Sequence, residues 1–245
     1  MSSAYAGPVP STTKREVANR IHPTAIIGDD VTLGVGNSIG PYTVIFGPCT
    51  IGDGNWIGPN VCIGAPPEMR GAYHPAGWAG EAGIGPVEIG SRNVVREFTS
   101  IQGATTGSTR LGDDCYLMDK VHIPHDCTVE DRVTISCSVM MGGHTHLGAG
   151  SNIGLSSVIH QRIAVGRGAM IGMGSVITKH VPPFALAYGS PARVRGANMV
   201  GLTRSGFDEN SSRDIDAVLK AGEDLSALLP TESKAFADAL RSVHH

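Results

Sequence analysis

An aliphatic residue at every sixth position is the feature that most constrains how this chain can fold. Read in sixes from Ile21, eight successive blocks begin with Ile or Leu, and Gly follows in most of them. The blocks are IHPTAI, IGDDVT, LGVGNS, IGPYTV, IFGPCT, IGDGNW, IGPNVC and IGAPPE. The frame returns at Leu111 for twelve blocks that all begin with an aliphatic residue or Met. This period fits neither an α-helix nor an alternating strand.

A fixed six-residue repeat indicates an all-β protein folded as a parallel β-helix. Each block supplies a short strand and a turn, and three blocks make one triangular coil of 18 residues. The aliphatic residue of each block points inward, and each coil hydrogen-bonds to the next. The 33 Gly residues and the low aromatic content of 5% fit a fold that is rich in tight turns.

The repeat also predicts the domain organisation. We expect the β-helix over residues 21–196, a flexible N-terminal segment over 1–20, and a C-terminal helical region over 197–245. The helices are expected to cap the coil stack, whose last strands would otherwise expose unpaired edges. Two breaks in the frame mark excursion loops near 66–86 and 103–110. Long loops on a rigid scaffold often carry function.

Charge and cysteine usage limit the class of partner and the compartment. A formal net charge of −3 and a sequence pI of about 6.3 give no reason to expect nucleic acid or an anionic membrane as partner. No apolar run is long enough to span a membrane, and the first residues lack the apolar core of a secretory signal. The five cysteines form no CxxC pair, which predicts free thiols and a cytoplasmic location.

The stretch HIPHDC acquires a spatial context from the repeat. Because residues 18 apart stack on one face, His125 is expected to lie below Gly143 and Gln161. By the same rule Asp126 lies below His144. The repeat therefore predicts one polar patch across three coils, with His122 at its edge. Its members are His125, Asp126, Gly143, His144, His160 and Gln161.

The residues of this patch suit more than one chemistry. A histidine oriented by Asp126 could act as a general base, with the Gly143 N–H stabilising an oxyanion. Several histidines could instead hold a zinc ion, as in β-helical carbonic anhydrases. The patch could also be a solvated outer wall on a silent trimeric scaffold.

Several motifs resemble those of the bacterial acyl-[acyl-carrier-protein]–UDP-N-acetylglucosamine O-acyltransferase family, the first enzyme of lipid A synthesis. They are the hexads, HIPHDCTV, GGH, IHQ, VPPFALAYGSPA and N-x-x-GL-x-R-x-GF, and they run from about Ile21 to Phe207. The resemblance implies a left-handed β-helix and a homotrimer with active sites between neighbours. It implies an O- or N-acyltransferase that takes an acyl group from acyl-carrier protein or CoA, without a metal or resident cofactor.

The resemblance also implies roles for individual residues. His125 is the general base for a sugar-nucleotide-like acceptor, Asp126 orients it, and Gly143 supplies the oxyanion-hole N–H. Met173 falls where the family places its acyl-chain ruler. The positions implied to bind substrate are His122, His144, His160, Gln161, Asn198 and Arg204.

Departures from the family pattern fall on the acceptor side. Residues 68–71 read EMRG where the family has Q-D-L-K, and Gln102 replaces a histidine. These changes weaken the assignment of UDP-N-acetylglucosamine in particular and leave open another amino or hydroxy acceptor. Met173 stands where long-chain enzymes have Gly, which predicts a medium or short acyl group.

Overall fold

The computed structural model describes residues 18–72, 74 and 85–244. Most of the predicted flexible segment and the centre of the first excursion loop therefore lie outside the described residues. The strands stack into three parallel sheets, which form the faces A, B and C of a triangular prism. The predicted left-handed parallel β-helix is confirmed.

Each turn of the chain adds one short strand to each face. Face A contains β1 (Arg20–Ile21), β4 (Ser38–Ile39), β7 (Trp56–Ile57), β10 (Val94–Val95), β13 (Tyr116–Leu117), β16 (Thr134–Ile135), β19 (Asn152–Ile153), β22 (Met170–Ile171), β24 (Ala185–Gly189) and β25 (Ala192–Ala197). Face B contains β2 (Ile26–Ile27), β5 (Val44–Ile45), β8 (Cys62–Ala65), β11 (Ser100–Gln102), β14 (His122–Ile123), β17 (Met140–Met141), β20 (Val158–Ile159) and β23 (Val176–Ile177). Face C contains β3 (Val31–Leu33), β6 (Cys49–Ile51), β9 (Val87–Ile89), β12 (Thr109–Leu111), β15 (Thr128–Val129), β18 (His146–Leu147) and β21 (Ala164–Val165).

The pairing register follows the sequence frame. Ser38 pairs with Trp56, 18 residues further along, and the same step recurs through most of the wall. The step grows to 38 residues between Trp56 and Val94, and to 22 between Val94 and Tyr116. The extra residues leave the wall between β8 and β9 and between β11 and β12, at the two frame breaks seen in the sequence.

The first residue of each block forms the core. Ile45, Ile63, Ile123 and Ile153 are fully buried, each in the column of its face. Burying an isoleucine side chain contributes roughly 1.5–3 kcal/mol, so the stacked column is the main source of stability. The residue before each of them in a strand points outward.

Each corner of the prism contains a column of residues in the left-handed conformation. The turn there needs a positive φ, which non-glycine residues adopt at some energetic cost. We name each corner by the two faces that it joins. The AB corner holds Tyr42, Asn60, Phe98, Lys120, Ser138, Ser156 and Gly174. The BC corner holds Asp126, His144 and Arg162, and the CA corner holds Gly36, Gly54, Arg92, Asp114, Arg132, Gly150 and Gly168.

A ladder of asparagines ties the N-terminal coils together at the CA corner. The side-chain oxygens of Asn19, Asn37 and Asn55 each accept the backbone N–H of the next ladder residue at 2.8–2.9 Å. Asn93 ends the ladder, and its oxygen accepts the N–H of Cys115 at 2.7 Å. The ladder thus supplies side-chain hydrogen bonds that cross four coil boundaries.

The C-terminal residues close the end of the prism. Strand β25 folds back antiparallel to β24 and is followed by α1 (Met199–Arg204), α2 (Glu209–Ala221) and α3 (Pro230–Ser242). Asp208 caps α2, accepting hydrogen bonds from the N–H groups of its first turn. Leu202, Ile215 and Leu219 are buried against the last coil. Among the helices of the described residues, none combines the length and apolar character needed to cross a membrane.

We expect Asn55→Ala to lower the free energy of unfolding by about 2–4 kcal/mol, because it leaves several buried groups without partners. Asn55 is 1% exposed, accepts the Asn93 N–H, and donates to the Gly52 and Gly90 carbonyls. Urea unfolding measures the change. Ser151 is the matched control, since it stands in the same column and its buried hydroxyl has no partner among the described residues. Ser151→Ala is expected to be nearly neutral, and an equal loss in both variants would contradict the role of the ladder.

Candidate active site

The predicted patch lies at the BC corner, where strand β14 of face B turns toward β15 of face C. Both excursions leave the wall at this corner, because each of them joins a face B strand to a face C strand. The BC corner therefore combines the rigid wall with loops that can shape a site over it.

His125 and Asp126 form a hydrogen-bonded pair. The Nδ1 atom of His125 lies 2.8 Å from Oδ2 of Asp126. The side chains are 15% and 5% exposed, so the carboxylate is covered while the imidazole reaches solvent. Since Nδ1 is engaged, Nε2 is the ring nitrogen left to exchange a proton.

Asp126 is held by the second excursion. The backbone N–H of Thr105 donates to both carboxylate oxygens at 3.1 Å, and its hydroxyl donates to Oδ2 at 2.6 Å. The backbone N–H of Thr106 donates to Oδ1 at 2.9 Å. Burial acts to raise the pKa of Asp126, but the bonds from Thr105, Thr106 and His125 outweigh it and hold that pKa below its ordinary value.

Gly143 lies directly against the His125 ring. A methyl group at Gly143 would stand 2.5 Å from Cε1 and 2.7 Å from Nε2 of His125, so only glycine leaves room for the imidazole. The Gly143 carbonyl accepts the N–H of Arg162, whereas its own N–H has no acceptor among the residues that the structure describes. A backbone N–H without an acceptor, on the residue that packs against the His125 ring, is a candidate donor for an oxyanion.

His144 completes the cluster. Its ring packs edge-on against that of His125, with centroids 5.3 Å apart, and its Nε2 is 3.7 Å from Oδ2 of Asp126. Burial lowers the pKa of His144, and Asp126 only partly opposes this shift. The ligand atoms of His125, Asp126 and His144 lie within 4.8 Å of one another, close enough to hold a metal ion. The hydrogen bonds from Thr105 and Thr106 already occupy the carboxylate, which favours an orienting role over metal ligation.

His122 lies on face B, next to this cluster. Its Nδ1 is 2.7 Å from the Ser100 hydroxyl oxygen, and its Nε2 is 3.5 Å from a carboxylate oxygen of Glu68. Glu68 comes from the first excursion, and its N–H donates to the buried side-chain oxygen of Gln102 at 3.2 Å. Burial lowers the pKa of His122, while Glu68 opposes that shift and His125 adds to it. The imidazole is therefore neutral near pH 7, and Glu68 brings a net negative charge to the site.

The other predicted residues lie further along the prism. Gln161 follows Gly143 in the same column, and its backbone packs against Gly142. His160 is exposed beside it, with Nδ1 3.0 Å from the Gln161 carbonyl oxygen. Met173 is 75% exposed at the AB corner, away from His125 in the same chain.

Asn198 and Arg204 lie at yet another corner. They line a cavity of about 600 Å³ on face A beside the CA corner, together with Arg132 and Arg167. Asn198 caps α1 and donates to the Gly168 carbonyl at 2.9 Å, which fixes its position in the cavity wall. The structure therefore brings together the residues of the BC corner but places Asn198, Arg204 and Met173 on other corners of the same chain.

Four contributors to the site were not identified in the sequence as site residues. Thr105 and Thr106 donate hydrogen bonds to the Asp126 carboxylate, and Ser100 forms a hydrogen bond with His122. Arg162 adds positive charge near His144. The stacking rule could have found Arg162, which is 18 residues beyond His144. The threonines lie in an excursion, where that rule gives no position.

Comparison with known proteins supports the resemblance seen in the motifs. A family model described as UDP-N-acetylglucosamine O-acyltransferase, domain 2, matches residues 180–243. The acyl-[acyl-carrier-protein]–UDP-N-acetylglucosamine O-acyltransferase of Burkholderia lata is 40% identical over 126 residues, which cover 50% of this chain and 48% of the relative. The same figures hold for the protein of that name from Burkholderia mallei. The chain thus spans about half the length of the curated relatives it matches.

Solved structures extend the likeness over nearly the whole chain. The UDP-N-acetylglucosamine O-acyltransferase of Moraxella catarrhalis superposes with a TM-score of 0.67 at 27% identity, covering 91% of this chain and 96% of that one. The corresponding protein of Campylobacter jejuni gives 0.65 at 27% identity, with coverage of 91% and 94%. These matches confirm the family resemblance that the sequence motifs suggested.

We expect Thr105→Val to raise the pKa of the Asp126 carboxyl, because it removes a hydrogen bond that favours the charged form. Titration of ¹³C-labelled aspartate by NMR measures the shift. Thr128→Val on face C is the matched control and is expected to leave the Asp126 pKa unchanged. An unchanged pKa in Thr105→Val would mean that the backbone N–H groups alone stabilise the carboxylate.

Proposed function

We propose that this protein is an acyltransferase that moves an acyl group from a phosphopantetheine thioester to a hydroxyl or amine of a sugar-nucleotide-like acceptor. The observation that carries the proposal is the His125–Asp126 pair packed against Gly143, whose N–H has no acceptor among the described residues. The acyltransferases to which the chain is similar support the same reaction class. The thioester donor brings the reactive group, so the reaction needs no further cofactor.

Each group at the BC corner has a defined part in such a reaction. Nε2 of His125 takes the proton of the acceptor hydroxyl or amine, whose oxygen or nitrogen then attacks the thioester carbonyl carbon. The oxyanion that forms accepts a hydrogen bond from the Gly143 N–H, and such a donor contributes about 3–4 kcal/mol in other acyl-transfer enzymes. Collapse breaks the C–S bond, and the thiolate takes the proton back from His125. Asp126 stabilises the imidazolium in between.

The acceptor side departs from the family pattern but keeps groups that suit a sugar-nucleotide-like molecule. Glu68 places an exposed carboxylate beside His122, and Gln102 fixes the backbone of that residue. A carboxylate at this place suits an acceptor that presents hydroxyl or ammonium donors. The three arginines that line the face A cavity suit the phosphates of a nucleotide. The acyl group that we propose is medium or short, because the exposed Met173 side chain would shorten a groove that Gly at this position leaves open.

We also propose that the protein works as a homotrimer, because its three faces differ in character. Outward residues on face B are mostly apolar, and face A adds large apolar or aromatic ones. Trp56, Tyr116, Met140 and Val158 are each 37–47% exposed. Outward residues on face C are mostly polar. They are Thr32, Thr50, Glu88, Arg110, Thr128, His146 and Ala164. A ring that covers faces A and B and leaves face C in water buries the apolar surface.

Such a ring would also complete the active site. With the AB corners at the three-fold axis, face B of one copy lies against face A of the next. The BC corner with His125 then faces the cavity of the neighbour with Arg204. Within one chain these groups stand on different corners, separated by a face about 20 Å wide for six extended residues. Free thiols at the five cysteines agree with the cytoplasmic location that we propose for the enzyme.

We expect His125→Ala to reduce thioester turnover by at least about 100-fold, since it removes the general base. The assay follows free-thiol release from a panel of acyl thioesters, crossed with amino-sugar and hydroxyl acceptors. His146→Ala is the matched control, because His146 forms a similar 2.8 Å pair with Glu130 on face C. This variant should retain activity. Equal rates for wild type and His125→Ala would overturn the proposal. Stoichiometric zinc and sensitivity to chelator would instead favour the carbonic anhydrase-like reading.

A shared cleft predicts complementation between inactive variants. Co-expression of His125→Ala with Arg204→Glu should restore up to about one third of wild-type activity, because one cleft in each mixed trimer keeps both side chains. Mixed trimers are isolated with two different affinity tags. Co-expression of His125→Ala with Asp126→Ala should stay inactive, since both changes fall on the same side of the cleft. If neither pair regains activity, the active site lies within a single chain.

A further inference from the structure

Ser100, His122 and Glu68 form a second hydrogen-bonded relay, which the acyl transfer proposed above does not use as a unit. Ser100 and His122 are the first, outward-pointing residues of β11 and β14, and they pair in the register of face B. The Ser100 hydroxyl oxygen is 2.7 Å from Nδ1 of His122, and Nε2 of that ring is 3.5 Å from a carboxylate oxygen of Glu68. The order of hydroxyl, imidazole and carboxylate is that of a nucleophile, its base and the group that orients the base.

The two ends of the relay determine where the imidazole proton lies. A carboxylate can only accept hydrogen bonds, so Nε2 of His122 carries the hydrogen and points it toward Glu68. Nδ1 is then the basic nitrogen, and the O–H of Ser100 donates to it. Among the described residues, the Ser100 hydroxyl has no other hydrogen-bond partner. The hydroxyl is therefore polarised toward the base that would take its proton.

The relay stands within a stripe of apolar side chains on face B. The outward residues of the neighbouring coils are Val44, Cys62, Met140 and Val158. His122 is buried, whereas Ser100 is half-buried and the Glu68 side chain is exposed. Burial lowers the pKa of His122 despite the nearby Glu68 carboxylate, so the ring is a neutral base near pH 7. The stripe offers an acyl chain an apolar surface that leads to the Ser100 oxygen.

We propose that Ser100 is a second nucleophile of this protein, which takes an acyl group from a thioester and passes it to water. The activity is thioester hydrolysis through an ester on Ser100. It takes the class of donor proposed above but uses neither His125 nor an acceptor hydroxyl or amine. Because Glu68 also borders the proposed acceptor position, the hydrolysis belongs to the state in which no acceptor is bound.

Each step of the hydrolysis has a group that serves it. Nδ1 of His122 takes the Ser100 proton while the Ser100 oxygen attacks the thioester carbonyl carbon. The C–S bond then breaks, and the thiol leaves with the proton from His122. In the second half a water molecule gives a proton to Nδ1 and attacks the ester, the ester C–O bond breaks, and the proton returns to the Ser100 oxygen. Thioester and water thus become carboxylic acid and thiol, and Glu68 stabilises the imidazolium in both halves.

A fluorophosphonate probe tests the nucleophile, because it reacts with a hydroxyl that a neighbouring base activates. Peptide mass spectrometry locates the adduct. We expect it on Ser100, and labelling in His122→Ala should be at least about 100-fold slower, since the base is removed. Ser38→Ala is the matched control, because Ser38 is an outward strand residue on face A. This variant should be labelled on Ser100 at the wild-type rate.

The hydrolysis is measured in His125→Ala, so that water activated by His125 does not contribute. An acyl thioester supplied without acceptor should give free acid and free thiol in equal amounts. His125→Ala/Ser100→Ala should release them at least about 100-fold more slowly, because the nucleophile is missing. Ser100→Cys keeps a nucleophile beside His122 and should accumulate an acyl-enzyme that is visible in the intact protein mass.

The outcomes separate a nucleophile from a residue that only orients His122. Slower hydrolysis without an adduct or an acyl-enzyme at position 100 would mean that Ser100 acts only through His122, which would overturn the proposal. Equal hydrolysis in His125→Ala and His125→Ala/Ser100→Ala would overturn it as well. Neither assay contains an acceptor, so a failure of the proposed acyl transfer does not change the result. Conversely, transfer that proceeds while Ser100 stays unlabelled leaves the acyltransferase assignment standing.

Discussion

The backbone hydrogen bonds between successive coils are the constraint on which the rest of this protein depends. The N–H of His144 donates to the His125 carbonyl at 3.1 Å, and the N–H of Arg162 donates to the Gly143 carbonyl at 2.9 Å. These bonds fix the 18-residue step and so place a glycine against the His125 ring. A slip of one residue would turn outward side chains into the core, so the register of the site and the burial of the aliphatic columns stabilise each other.

That constraint also explains how a charged carboxylate is kept at a crowded corner. Asp126 has a positive φ and is nearly covered, and burial alone acts to raise its pKa. The second excursion supplies Thr105 and Thr106 as donors, which return more stabilisation to the anion than burial removes. The loop inserts only a few extra residues, yet it supplies most of the hydrogen bonds to the carboxylate that orients His125.

The periodicity was sufficient to predict the parts of the molecule that repeat. The inward columns, the coil length and the contact of His125 with Gly143 all follow from counting in sixes. The repeat could not predict the positions of Thr105 and Glu68, because both lie in excursions whose path depends on tertiary contacts. Asn198 and Arg204 were assigned by resemblance, and the repeat carries no information about α1, which positions them. The separation of Arg204 from His125 became apparent only with the three faces in view.

The distribution of polar groups among the faces suggests why one corner carries so much of the chemistry. Face B and part of face A carry large apolar side chains that a neighbouring copy can cover, whereas the outward residues of face C are mostly polar. The BC corner is the edge where a covered face meets a free one, so it can border a closed cleft and still admit a large donor from solvent. In such an arrangement His125 lies on the side of the cleft that opens to solvent.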